Sequence, residues 1–96
     1  MTSLTEYPVR SPETASRKIE DETVIVIPQL GLARVLNPVG SRVWELMDGR
    51  NSVAKIIEIV FSEFDADKEA IATDVLDFLN DLRDKKMAIF QNEPAN

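Results

Sequence analysis

The dipeptide Asn37-Pro38 divides this chain into two halves that cannot share one kind of secondary structure. Asn is a favoured helix N-cap, because its side-chain oxygen accepts from the N–H groups that open a helix. Pro at the first helical position costs nothing there, since that N–H has no partner inside the helix. A helix therefore starts at Pro38, and the residues before it must be built differently.

The first half is strand-like. Thr23-Val24-Ile25-Val26-Ile27 is a β-branched run ended by Pro28. Branching at Cβ restricts side chains in a helix and suits a pleated surface. Ala15 to Ile19 is a candidate partner strand, with Glu20-Asp21-Glu22 as the turn. Leu32-Ala33-Arg34-Val35-Leu36 is a third strand after Gly31. Such short connections predict an antiparallel meander.

The second half, from Pro38 onward, is helical. Val39, Val43, Leu46 and Met47 recur at spacings of three and four, and Gly49 ends the segment. Ser52 can cap a second helix carrying Ile56, Ile57, Ile59, Val60 and Phe61. Asp67 can cap a third, running to about Lys85. That helix has acids in its first turn and Lys85-Lys86 at its end, as the helix dipole favours. Met87-Ala88-Ile89-Phe90 is an apolar finish suited to a small strand. The predicted class is α+β and winged-helix-like: a three-stranded antiparallel N-terminal sheet, then three helices, in the order βββααα with a short C-terminal strand to finish. Residues 1–15 read as a flexible lead-in, 16–91 as the domain and 92–96 as a flexible tail.

Composition enters as exclusion. Among 96 residues there is no Cys and no His, so zinc sites built on them, thiolate-held clusters and a Ser-His-Asp triad are ruled out. Without disulfides the fold rests on an apolar core. There is no apolar run long enough to span a bilayer and no secretory signal pattern, so the expectation is a cytoplasmic protein without a membrane. Eleven Lys+Arg face 17 Asp+Glu, a net charge of −6. Residues 52–96 carry −5 of it, so the acidity belongs to the helical half.

The third helix shows where. At about 100° per residue, Ile71, Val75, Phe78 and Leu82 form one stripe, expected to face the core. Ala72, Leu76, Leu79 and Arg83 form a second shoulder, which either widens the core or lines a groove. Asp74, Asp77, Asp81 and Asp84 share the remaining side, expected to be solvated. A helix-turn-helix regulator fits the helix order, but this helix would be repelled by phosphates, so DNA binding is only the alternative reading. Asp65-Ala66-Asp67 begins like a calcium loop, yet Ala70 and Leu76 stand where Gly and Glu are needed. No nucleophile, base or metal ligand is marked, so the chain reads as a non-enzyme with no cofactor.

The run Leu36-Asn37-Pro38-Val39-Gly40-Ser41-Arg42-Val43-Trp44-Glu45-Leu46-Met47-Asp48-Gly49 resembles the PqqD family. So do Phe64-Asp65 and Asp74-Val75-Leu76-Asp77-Phe78-Leu79-Asn80-Asp81-Leu82 at the expected separation. The resemblance covers roughly residues 16–90. It implies a recognition element for ribosomally made, modified peptides, which binds a precursor's leader segment and presents it to a modifying enzyme, often of the radical SAM type. It also implies that the leader adds as a strand beside the third β-strand and lies against the third helix. In this chain those positions are Leu32, Ala33, Arg34, Val35 and Leu36, with Ala72, Leu76, Leu79 and Arg83 on the helix. An exposed strand edge is a row of unpaired N–H and C=O groups, so it can also pair with a second copy, and a homodimer stays open.

Overall fold

The computed structural model describes residues 2–95; Met1 of the lead-in and Asn96 of the tail lie outside the described residues. Among the described residues the elements run in order β1 (Tyr7–Arg10), β2 (Ala15–Ile19), β3 (Glu22–Ile27), a 3₁₀ turn (Pro28–Leu30), β4 (Leu32–Leu36), α1 (Pro38–Leu46), α2 (Val53–Glu63), α3 (Lys68–Asp84) and β5 (Ala88–Gln91). The class is α+β and winged-helix-like, as the sequence indicates.

β2, β3 and β4 form an antiparallel meander with β3 at its centre. The β-branched run of β3 is the one strand that must satisfy both neighbours. Its side chains alternate: Thr23, Ile25 and Ile27 are buried, while Val24 and Val26 point to the half-covered outer face. Gly31 makes the turn into β4 at a φ of 63°, a left-handed conformation that a side chain would strain.

The helix starts behave as their residues dictate. The Asn37 side chain accepts from the Gly40 N–H at 2.8 Å, and the Ser52 hydroxyl accepts from the Lys55 N–H at 3.1 Å. Asp67 occupies the N-cap of α3 without a side-chain hydrogen bond, so its contribution there is through the dipole alone. Ile25, Ile27, Leu36, Val43, Trp44, Val60, Val75 and Leu79 belong to one buried core that joins the three-stranded sheet to all three helices. Arg42 on α1 bridges to Glu63 on α2 through two hydrogen bonds, of 2.8 and 3.0 Å. That paired geometry holds the guanidinium pKa above its ordinary value.

Part of the expected lead-in carries regular structure among the described residues. Tyr7–Arg10 forms β1, which pairs antiparallel with β5. The segment before it lies across the helices. The Thr2 N–H and hydroxyl donate to Asn80 Oδ1. The carbonyls of Leu4 and Glu6 accept from Ala54 and Val53, two first-turn N–H groups of α2 that no helical carbonyl can reach. Arg10 donates to the carbonyls of Trp44 and Glu45 at the end of α1, at 2.7 and 3.0 Å. At the other terminus, the Ala95 N–H donates to the Gly49 carbonyl.

Candidate functional site

β4 is an edge strand: β3 occupies one side and no described residue pairs with the other. Its sequence sets its two faces. Leu36 is buried and Arg34 is half-buried on the inner face, while Val35 on the outer face is 63% exposed. With that side unpaired and no Pro in the strand, the N–H and C=O groups along this edge are free to accept an added strand.

β4 packs on α1, but a cavity of about 400 Å³ separates it from α3. Arg34, Val39, Gly40, Asp74, Phe78 and Asp81 line it, together with Asp77. Gly40 keeps this space open: a Cβ there would meet Asn37 Oδ1 at 3.3 Å and the Phe78 ring at 3.7 Å. Arg34 spans the gap, pairing with Asp81 and standing 5.4 Å from the centroid of Phe78. The wall is thus an aromatic face flanked by carboxylates, with the guanidinium of Arg34 laid over the ring.

The nine expected site residues do not converge. Leu32 through Leu36 form the edge strand as anticipated. Leu79 is fully buried at 0% exposure, so it belongs to the core and cannot touch a ligand. Arg83 sits on the other flank of α3, where it pairs with Glu6 at 2.8 Å and stacks over Phe90 at 4.0 Å. Ala72 and Leu76 share that angular side with Arg83 and pack in part against the core. The flank that faces β4 carries Asp74, Phe78 and Asp81 instead. Phe78, expected in the core stripe, is half-buried at the groove, and three of the expected solvated acids line it.

Among the described residues, no cluster of His, Cys, Asp and Glu is placed to hold a metal ion, and no helix is long and apolar enough to cross a membrane.

The sequence and the fold are both shared with known proteins. Residues 22–88 match the family described as coenzyme PQQ synthesis protein D (PqqD). A PqqA binding protein of Gluconobacter oxydans (strain 621H) is 33% identical over 70 residues, spanning 73% of this chain and 71% of that protein. One from Rhodopseudomonas palustris (strain BisB5) is 39% identical over 81 residues, spanning 78% and 76%. Among solved structures, TbiB1 in complex with the TbiA(beta) leader peptide superimposes with a TM-score of 0.75 at 30% identity, covering 83% of this chain and 93% of that one. Lasso peptide synthetase B1 complexed with its leader peptide gives 0.74 at 20% identity, over 86% and 98%, a likeness of fold alone.

Proposed function

The chain belongs to the PqqD family, and from that premise we propose that it binds the leader segment of a ribosomally made precursor peptide and presents it to a modifying enzyme of the radical SAM type. It acts in this reading as a binding module and not as a catalyst, in the cytoplasm where precursor and enzyme are made.

One observation carries the proposal: the free edge of β4 opens onto a groove backed by α3, in a fold shared with a protein solved with a leader peptide bound. The leader adds as a strand along Leu32 to Leu36. Backbone hydrogen bonds give affinity with little dependence on sequence, and alternate side chains entering the groove give selectivity. Ordering a flexible leader costs roughly 2–5 kcal/mol. Two or three leader side chains buried at about 1.5–3 kcal/mol each offset that cost. The contacts fall on Arg34, Phe78 and Asp81, the flank of α3 nearest β4, and not on Ala72, Leu76 or Arg83.

The test is a titration of isotope-labelled protein with synthetic leader segments of candidate precursor peptides. Amide shifts should centre on residues 32–36 and 74–81. Shifts confined to the far flank, around Leu76 and Arg83, defeat the site assignment. If a second copy uses the same edge, the leader should dissociate that dimer, which sedimentation reads directly.

A further inference from the structure

The charge distribution in the groove goes a step beyond leader binding, and the step rests on that reading. Three carboxylates, Asp74, Asp77 and Asp81, line the cavity against one guanidinium, that of Arg34. Asp81 is already engaged, by Arg34 and by Lys85. Asp74 and Asp77 have no cationic partner among the described residues. They stand beside Phe78, whose half-buried ring is the apolar floor of the same space.

The spacings are matched to an extended peptide. On a helix, Asp74 lies about 6 Å along the axis from Phe78, and Asp77 about 1.5 Å. In a strand, side chains on one face recur about every 6.7 Å. A strand added to β4 and running along α3 presents one inward side chain to Phe78 and the next about one helical turn away, at the level of Asp74. We propose that the groove selects leader segments carrying an apolar residue and, two positions away on the same face, a Lys or Arg. The apolar residue packs on Phe78, and the cation takes the unpaired carboxylates of Asp74 and Asp77. The net charge of −6 adds long-range attraction for such a segment.

Three synthetic twelve-residue peptides test this. Each has a Ser/Thr host sequence with Leu at one position and Lys, Gln or Glu two positions on. Binding to the full chain is followed by fluorescence anisotropy at low salt, and the site by amide shifts. The Lys peptide should bind about fivefold more tightly than the Gln peptide, as expected for one or two partly exposed ion pairs. The Glu peptide should be weakest, and 0.5 M salt should compress the series. Asp74→Asn combined with Asp77→Asn should abolish the Lys preference. Asp84→Asn, on α3 but outside the cavity, should leave it intact. Equal binding of all three peptides, with shifts on residues 32–36, overturns the charge selection and leaves leader binding standing. A preference that Asp84→Asn removes equally reduces the effect to net charge and also overturns it. No binding by any peptide, or shifts away from β4, overturns this inference and the leader site together.

Discussion

Two neighbouring substitutions on α3 separate core from groove. Leu79 is at 0% exposure, so Leu79→Ala removes buried methyl groups and leaves a void. Core truncations of this kind cost about 2–5 kcal/mol. A domain of this size has a total stability of roughly 5–14 kcal/mol, so a loss near 3 is a large share. At about 4–8 °C per kcal/mol, the expected fall in Tm is about 12–24 °C. Phe78, one residue away, is half-buried and borders a cavity. Its ring already faces open space on one side, so Phe78→Ala gives up only part of its transfer energy, roughly 1–1.5 kcal/mol.

Binding should rank the two variants the other way. In Phe78→Ala the leader loses its apolar floor, and the loss of about 1.4 kcal/mol raises Kd about tenfold. Leu79→Ala, assayed well below its Tm, should keep a Kd within about threefold of the parent. Stability is read by urea denaturation, with Trp44 as the buried reporter at 3% exposure. Affinity is read by anisotropy of a labelled leader. The reasoning fails if Phe78→Ala costs as much stability as Leu79→Ala and leaves Kd unchanged. Phe78 would then be core, and the groove beside it would not be the binding surface.

Deleting residues 2–10 should destabilise the domain by several kcal/mol, since it strips β5 of its partner and uncaps α2; an unchanged urea midpoint would return the segment to a lead-in. Arg10→Met should cost about 1–2 kcal/mol in thermal unfolding, because it removes the two bonds that close the end of α1. Asn37→Ala should cost about 1 kcal/mol, with the loss visible as fraying of the first turn of α1 in amide exchange. Gly40→Leu should block the leader, because its Cβ starts 3.7 Å from the Phe78 ring; undiminished leader binding with a normal Tm would move the site elsewhere.

The range of the forces involved decides how much of this fold is legible in the sequence. The Asn37 and Ser52 caps, the Gly31 turn and the β-branched run of β3 act within a few residues, and each is where local chemistry places it. β1 is held by partners far along the chain: Tyr7 pairs with Gln91, and Thr2 bonds to Asn80. Four residues including Pro8 carry no periodic signal strong enough to announce such a strand. The groove is hidden for a different reason. Periodicity ranks the faces of α3, but Ile71-Val75-Phe78-Leu82 and Ile71-Val75-Leu79-Leu82 are almost equally good stripes. Choosing between them turns the helix by only a few tens of degrees. The position of β4 decides it. A bare strand edge on one flank leaves that flank half-open, so it takes Phe78 and its neighbouring acids. The N-terminal segment and β5 close over Arg83 on the other, through Glu6 and Phe90. Three of the acids that looked merely solvated therefore line the groove, where the proposed reading puts the leader. The same residues that disqualify α3 from a DNA groove are the ones the proposed selection would set against a cationic side chain of the added strand.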